Sequence, residues 1–188
     1  MTYQQWLKAI QAENKYRKQH RLKNIWHIKG FTIFDKAGHA TEHCGYSLLQ
    51  KALELADLSQ SGTIKQTIHF PYPVGYHECV ETTDDDQIIY LKRPGRRNTT
   101  RFVLNKTPNA CCSVHLILKI KDNTIRISSA WVGTESQPEP ASPLADENSV
   151  SFWKNHALIA PEGVIQSLKY GFEQCWPKKF RHLVDPNL

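Results

Sequence analysis

The residues of this sequence that could carry chemistry are concentrated between Tyr76 and Gly133. The stretch opens with a histidine beside a carboxylate, His77-Glu78, just after a Pro-Val-Gly bend. An imidazole with a pKa of about 6.5 can give or take a proton at neutral pH, and a carboxylate can act as a base or orient the ring. We interpret His77 and Glu78 as candidate catalytic groups. His115 is a further candidate, although a histidine within a strand is more often structural.

A basic turn supplies the second set of candidates. Its members are Arg93, Arg96, Arg97, Thr99, Thr100 and Arg101. Arginine presents a planar fork of donors that matches a phosphate, and a hydroxyl can stabilise negative charge that develops during a reaction. The turn therefore predicts binding of a phosphodiester. A solvated hairpin tip, kept basic for solubility, explains the same pattern and stays open as the alternative.

The end of the last predicted strand carries a third set. Ser128 could contact a phosphate, and Trp131 could stack on a nucleic-acid base as in proteins that bind single strands. The alternative is that this segment ends an edge strand and packs its tryptophan on the core.

A metal site is the fourth possibility considered. His39 and His43 are four residues apart and precede Cys44, with His27 and His69 as further candidates nearby, and two histidines at this spacing on a helix can chelate zinc. Gly38 and Gly45 flank the segment and make a helix doubtful. The sequence has no CxxC pair to supply further ligands, so a polar loop that caps the following helix is the alternative. We predict no metal and no other cofactor.

Composition favours an anionic partner. The chain has 188 residues, a net charge of +6 and a pI near 9.1. A basic protein attracts anionic partners over long range, although many basic domains bind no nucleic acid. The hydrophobic share of 40% and the charged share of 22% are ordinary for a globular protein.

Targeting signals and cysteines point to a cytoplasmic protein. The start of the chain lacks the basic residues and apolar run of a signal peptide, and no stretch reaches the roughly 18 apolar residues of a membrane span. The cysteine count of five is odd. Cys111 and Cys112 are adjacent, and neighbouring strand residues point to opposite faces, so we expect free thiols in a reducing compartment.

Periodicity predicts the elements that must position these groups. Helices are expected over residues 2–22, 47–58, 150–160 and 161–174, and strands over residues 24–35, 63–70, 87–92, 100–105, 111–121 and 124–131. Thr2 and Gln5 form a capping box at the start of the first helix. In the last two strands, His115 and Arg126 are predicted to face away from the apolar residues that alternate with them.

These elements predict an α+β fold with helices flanking a mainly antiparallel sheet of about four to six strands. We expect one domain over residues 1–188. Its parts are an N-terminal helix-strand-helix-strand part at 1–70, an antiparallel sheet core at 74–133, an acidic, proline-containing loop at 134–149 and a C-terminal helical part at 150–188.

The stretch from residue 74 to 133 resembles the BECR ribonuclease superfamily, which includes barnase-like, EndoU-like, colicin-type and RelE-like nucleases, many of them toxins or phage-associated proteins. The resemblance rests on His77, on Arg96 or Arg97, on Thr99 or Thr100, and on Ser128 before Trp131. It implies metal-free cleavage of RNA through a 2′,3′-cyclic phosphate.

The resemblance also implies roles. His77 would be the general base or acid, with Glu78 or His115 as its complement. The scissile phosphate would be held by Arg96, Arg97 and Arg101, and the transition state would be stabilised by Ser128 or Thr100. The expected partners are RNA or single-stranded nucleic acid, with a cognate inhibitor protein as a further candidate and no membrane. Two rival hypotheses stay open: a non-catalytic nucleic-acid-binding protein that uses the same basic face, and a protein-interaction module, such as an immunity or adaptor protein, with the acidic loop as its contact.

Overall fold

A computed structural model describes residues 1–93, 97–140, 142, 144–161 and 170–184 of the chain. The chain forms two compact units, each built from two separate segments. Unit 1 consists of Met1–His77 and Asn109–Glu135, and unit 2 consists of Glu78–Pro108 and the described residues from Ser136 onward. Helices combine with a five-stranded and a four-stranded sheet in which most neighbouring strands are antiparallel, which confirms the predicted α+β class.

Unit 1 contains three helices and seven strands. Its helices are α1 (Tyr3–Gln19), α2 (His39–Cys44) and α3 (Tyr46–Leu55). Its strands are β1 (Ile25–Ile28), β2 (Phe31–Phe34), β3 (Gly62–His69), β4 (Gly75–His77), β8 (Asn109–Cys111), β9 (Ser113–Lys121) and β10 (Thr124–Val132). Five strands form a sheet in the order β1-β2-β10-β9-β3, in which only β2 and β10 are parallel. A two-stranded sheet joins β4 to β8.

Unit 2 contains the other elements. Its strands are β5 (Cys79–Glu81), β6 (Ile88–Lys92), β7 (Thr99–Val103) and β11 (His156–Ile159), in the sheet order β5-β11-β7-β6 with β7 and β11 parallel. Its helices are α4 (Glu147–Lys154), α5 (Arg181–Val184) and two 3₁₀ turns, Phe172–Cys175 and Lys178–Phe180. Its core is formed by Ala145, Val150, Trp153, Cys175 and Trp176.

Helix α1 begins as the sequence predicts. The Thr2 hydroxyl accepts a hydrogen bond from the backbone N–H of Gln5, and the Gln5 side chain accepts one from the backbone N–H of Thr2. This capping box satisfies two backbone donors that a helix start otherwise leaves unpaired. Trp6 and Ile10 then anchor the helix in the core of unit 1.

The strand predicted over residues 24–35 is instead a hairpin. Lys29 and Gly30 both have positive φ, 50° and 82°, which is the backbone geometry of a tight two-residue turn between antiparallel strands. The continuous apolar pattern concealed this turn because only Gly30 signals it. The segment between Gly38 and Gly45, where a helix seemed doubtful, does form the short helix α2, with a left-handed Gly38 at its start.

Alternation in β9 and β10 is confirmed. One face is buried against the helices by Val114, Leu116, Leu118, Ile120, Ile125 and Ile127. Burying an aliphatic side chain of this size contributes about 1.5–3 kcal/mol, so these positions fix which face of each strand turns inward. The residues between them, including Lys119 and Arg126, lie on the opposite face.

The predicted antiparallel sheet over residues 74–133 is wrong in its pairing. Strands β6 and β7 belong to the sheet of unit 2, whereas β9 and β10 belong to the sheet of unit 1. The partners of β9 and β10 outside their own hairpin are β3 and β2, which precede them by many residues, and β7 pairs with β11, which follows it. Local alternation identifies strands but does not say which distant strand each will join.

The C-terminal part differs from the prediction too. The helix expected over residues 150–160 begins and ends earlier, as α4, and β11 follows it. The helix expected over residues 161–174 lies mostly outside the described residues, and its described end is the 3₁₀ turn Phe172–Cys175. Within the described part of the chain, no helix is both long and apolar enough to cross a bilayer.

Candidate functional site

The candidate site is the face of the five-stranded sheet that points away from the helices, which we call the open face. Cross-strand register and alternation place on it Ile25, His27, Thr32, Phe34, Thr63, Lys65, Thr67, His69, Ser113, His115, Ile117, Lys119, Lys121, Thr124, Arg126, Ser129 and Trp131. The face therefore combines cations, hydroxyls, imidazoles and one indole with three apolar side chains. Two of the predicted site residues, His115 and Trp131, lie on it.

Three cations cluster at the hairpin end of the open face. Lys119 lies directly opposite Arg126, and Thr63 occupies the position beyond Lys119 in the same row. Lys121 follows on the same strand face. None of the three makes an ion pair with a described residue. Like charges opposite each other destabilise a sheet, so this arrangement costs stability unless an anion binds there.

Lys65 is the open-face cation that does have an anionic partner. Its Nζ lies 3.4 Å from Oε1 of Glu135, and both side chains are mostly exposed, at 55% and 61%. An exposed pair of this kind contributes about 0–1 kcal/mol. Glu135 therefore neutralises Lys65 only weakly and leaves it available to a stronger anion.

Ser128 occupies a β-bulge. Ile127 pairs with Leu118 and Ser129 pairs with Ile117, so Ser128 is an extra residue on β10. It is exposed, and Ser129 takes the open-face position that regular alternation assigned to Ser128. Bulges re-aim side chains and often occur beside functional sites. The hydroxyl of Ser128 is accessible, but it does not stand in the regular row predicted for it.

His115 is buried beneath the indole of Trp131. Its side chain is 2% exposed, and its ring centroid lies 4.6 Å from that of Trp131. Its Nδ1 is hydrogen-bonded to Oγ1 of Thr67 at 2.9 Å, whereas its buried Nε2 has no hydrogen-bond partner among the described residues. The imidazole thus keeps one nitrogen that hydrogen bonds within the protein leave unused.

Burial also sets the charge of His115. Desolvation lowers the pKa of the imidazole; the carboxylate of Glu135 raises that pKa and the ammonium of Lys65 lowers it. The net direction is downward, so His115 is neutral at neutral pH and has the protonation state of a general base.

His69 is a member of the open face that the sequence analysis considered only beside a metal site and not among the catalytic residues. It is exposed on β3, and its Nδ1 is hydrogen-bonded to Oγ of Ser113 at 2.9 Å. The His69–Ser113 row lies next to the Thr67–His115 row. Each imidazole is thus held through Nδ1 by a hydroxyl from the neighbouring strand. Alternation of Lys65, Thr67 and His69 along β3 was the signal that could have found it.

His77 lies at the end of β4, where it pairs with Asn109 of β8. Its ring packs against Gly133, since a Cβ placed on that glycine would come within 2.5 Å of the ring carbon Cδ2. Gly133 directly follows β10, and its φ of +138° is one that other residues rarely adopt. Both predicted histidines therefore lie against the C-terminal end of β10, with His115 on Trp131 and His77 on Gly133.

The remaining predicted residues belong to unit 2. They are Glu78, Arg93, Arg97, Thr99, Thr100 and Arg101, whereas Arg96 lies outside the described residues. The guanidinium of Arg93 forms an ion pair with Glu139 and donates from Nε to Oγ1 of Thr100 at 3.0 Å. Oγ1 of Thr99 lies 3.3 Å from the buried thiol of Cys175. The side chains of Arg93, Thr99 and Thr100 therefore make contacts within unit 2.

Arg101 is held inside unit 2 as well. It donates from Nη1 to the hydroxyl of Tyr90 at 2.7 Å and from Nη2 to Oγ1 of Thr82 at 3.1 Å. Its guanidinium also lies 5.7 Å from the ring centroid of Phe172. Arg97, by contrast, is exposed. Of the described arginines in the basic turn, Arg97 is therefore the one most accessible to a ligand.

The two histidines considered for metal binding contact each other on α2. The ring centroids of His39 and His43 are 4.6 Å apart in an edge-on arrangement. Across the described ranges, no group of three or more His, Cys, Asp or Glu residues is arranged to hold a metal ion.

Comparison with protein-family models, with curated proteins and with solved structures found no significant match for this chain. The chemistry of the site therefore has to be judged from its own geometry.

Proposed function

We propose that this chain binds single-stranded RNA on the open face of unit 1 and cleaves it without a metal. The observation that carries the proposal is the opposed pair Lys119 and Arg126, next to Lys121, with no carboxylate in their row. Two cations that repel each other at this place lower the stability of the fold, and they interact favourably only when an anion binds between them.

The other groups of the open face favour single-stranded nucleic acid over other anionic ligands. Lys119 and Lys121 are two residues apart on one strand face, which is about 7 Å, a spacing that lets two cations contact successive phosphates of an extended strand. The hydroxyl of Thr63 lies in the row of Lys119, and that of Thr124 lies opposite Lys121. An aromatic residue on an open sheet gives an unpaired base a stacking platform, and Trp131 supplies it.

Cleavage would follow metal-free acid–base chemistry. A base takes the proton of the 2′-hydroxyl, and O2′ then attacks phosphorus to give a 2′,3′-cyclic phosphate. The bond from phosphorus to O5′ breaks, and an acid protonates O5′. In this proposal the neutral His115 is the base and His77 is the acid, with Ser128 stabilising the charge on the phosphate.

This assignment requires a movement of Trp131. The indole covers His115 in the unbound protein, with its Nε1 donating to the carbonyl of Thr134 at 2.9 Å. If a base of the RNA stacks on Trp131 and draws the indole away, Nε2 of His115 becomes accessible to the 2′-hydroxyl. Catalytic contacts often form only in the complex.

Incubation of the purified chain with end-labelled single-stranded RNA in EDTA tests the proposal. We expect fragments that end in a cyclic phosphate, no cleavage of the same sequence with deoxyribose, and loss of cleavage in His115→Gln and His77→Gln. His39→Gln is the matched control, because His39 is exposed on α2 and lies outside the open face. Cleavage that disappears only on chelation would contradict the mechanism.

Binding without cleavage is the second candidate. The observation that favours it is the burial of His115, whose 2% exposure keeps the proposed base away from substrate in the unbound protein. In that case the affinity for labelled RNA falls steeply with salt concentration, falls again in Lys119→Gln/Lys121→Gln, and no fragments form.

A further inference from the structure

The net positive charge of the protein is concentrated at its N-terminal end. Residues 1–34 contain seven of the 24 Lys and Arg residues but one of the 18 Asp and Glu residues, which leaves 17 of each in the other residues. The seven cations are Lys8, Lys15, Arg17, Lys18, Arg21, Lys23 and Lys29. This short stretch therefore carries a charge of +6, which equals that of the whole chain.

Helix α1 displays much of this charge on one side. Lys8, Lys15 and Lys18 are all exposed, and their separations of seven and three residues place them on one helix face. Trp6 and Ile10 lie on the opposite face, buried in the core of unit 1. We call the exposed side, defined by the three lysines, the outer face of α1.

The acidic residue of the stretch does not neutralise the outer face. Glu13 is half-buried, and its Oε1 accepts hydrogen bonds from the backbone N–H of Ser47, at 3.1 Å, and from the Ser47 hydroxyl. Lys8, Lys15 and Lys18 make no ion pair with any described residue. The outer face is therefore an uncompensated row of cations.

Capping of the helix does not explain this row. Cations in the last turn interact favourably with the negative end of the helix dipole, which accounts for Arg17 and Lys18. Lys8 lies in the second turn, where a cation gains nothing from the dipole. Repulsion between neighbouring cations on one helix face costs stability, as it does on the open face.

We propose that the outer face of α1 is a second contact surface for the phosphate backbone of single-stranded nucleic acid. The ligand class rests on the proposed function, but the surface is a different one. The outer face lies on the helical side of the sheet, whereas the open face lies on the other side. A strand long enough to pass around unit 1 can contact both, and a short strand can contact one at a time.

Nucleic acid fits the outer face better than a lipid surface does. A helix that lies in a membrane interface needs an exposed apolar face, and the apolar residues Trp6 and Ile10 of α1 are buried. The exposed aromatic group is Tyr16, at 56% exposure, whose ring stacks on His20 with centroids 4.1 Å apart. An exposed ring beside a row of lysines suits a base next to its phosphates.

Fluorescence anisotropy on the full chain tests the inference. The probes are non-cleavable 2′-O-methyl oligouridines of about 6 and about 30 nucleotides, and the shorter one is long enough to occupy one binding surface only. The variant is Lys15→Gln/Lys18→Gln, and the control is Lys36→Gln/Lys51→Gln, which removes two exposed lysines elsewhere in unit 1. Glutamine keeps a helix propensity close to that of lysine.

We expect Lys15→Gln/Lys18→Gln to bind the long probe about fivefold more weakly than the control variant does at 50 mM salt. The slope of log affinity against log salt concentration should be smaller by about 1.4. The short probe should bind equally well to both variants. Equal affinity of variant and control for the long probe would overturn the inference. Loss of binding to phosphatidylserine vesicles, with RNA binding unchanged, would overturn it in favour of a membrane contact.

The two proposals fail in different ways. Lys119→Gln/Lys121→Gln should lower the affinity for the short probe, because that variant changes the open face alone. If it does so while the helix variant matches its control, the open-face function stands and the second surface does not exist. If the unaltered protein binds neither probe, the proposed function itself is wrong.

Discussion

Lys119 on β9 and Arg126 on β10 lie directly opposite each other, with Thr63 beyond Lys119 and Phe34 beyond Arg126 in the same row. Opposed residues on antiparallel strands have Cβ atoms about 4.5–5.5 Å apart, which brings two positive charges close together on a solvated face. The pair is thus a local source of instability and, on our proposal, a binding element.

Replacing one cation of this pair should separate stability from binding. Lys119→Glu converts a repulsion into a cross-strand ion pair, and we expect the free energy of unfolding to rise by about 0.5–1 kcal/mol at low salt. Urea unfolding measures the change, which should shrink at high salt. The same variant should bind RNA more weakly, because it removes a phosphate contact and adds a negative charge.

Lys121→Glu is the matched control for that variant, because Lys121 lies on the same strand face but opposite Thr124. Its effect on unfolding should be much smaller. Equal stabilisation by the two substitutions would show that the gain comes from lower net charge and not from the opposed pair.

The pH dependence of stability should report on His115. Because burial lowers the pKa of this imidazole below its ordinary 6.5, the unfolded chain binds more protons than the folded one in that range. The stability contributed by neutral His115 is therefore complete above about pH 6.5 and is lost as the pH falls below it. Urea unfolding between pH 5 and 8 should show this loss.

His115→Gln should flatten that part of the profile, since glutamine does not titrate and can still form a hydrogen bond with the Thr67 hydroxyl. His27→Gln serves as the comparison, because His27 is exposed. An unchanged profile in His115→Gln would mean that another group causes the acid sensitivity.

Gly133 should tolerate no side chain. Its φ of +138° disfavours other residues, and a Cβ there would lie 2.5 Å from the His77 ring. We expect Gly133→Ala to lower the free energy of unfolding by about 3 kcal/mol. Gly30→Ala is the control for the backbone term alone, since Gly30 also has positive φ but has nothing within 4 Å of its Cβ position. Gly30→Ala should lower the free energy of unfolding by about 1 kcal/mol.

The steric part of the Gly133 effect can be isolated with His77. In a His77→Ala background, Gly133→Ala should lower the free energy of unfolding by less, because the ring with which the methyl group would clash is absent. Equal costs with and without the ring would contradict the contact between these two residues.

Arg101 should be more important for stability than Arg97. Arg101→Lys keeps the charge but loses the guanidinium group that donates to both Tyr90 and Thr82. We expect the free energy of unfolding, measured by heat or urea, to fall by about 1–3 kcal/mol. Arg97→Lys at an exposed position should change stability by less than about 0.5 kcal/mol. The reverse order would mean that the contacts of Arg101 contribute little.

Local rules predicted local structure. The Thr2–Gln5 capping box, the alternation of β9 and the turn at Asp122, with φ of 52°, follow from neighbouring residues, and each is present. The same rule applied to Lys65, Thr67 and His69 would have added His69 to the site. That residue was missed because the histidines were searched by type and not by strand face.

Pairing over long distances could not be predicted in this way. The parallel contact of Leu158 with Phe102 joins residues more than fifty positions apart, and nothing in either segment specifies the other. The sequence therefore placed Arg101 of β7 and His115 of β9 on one predicted sheet, whereas the structure assigns Arg101 to unit 2 and His115 to unit 1.

The position of β11 has a consequence for how the chain is made. β11 lies between β5 and β7, yet among the described strands it is the last to leave the ribosome. All strands of unit 1 have been synthesised by Val132, whereas β5 and β7 must wait for residues 156–159 to join them. Until then the nascent chain displays two strand edges without their partner, the condition in which newly made proteins aggregate and chaperones bind.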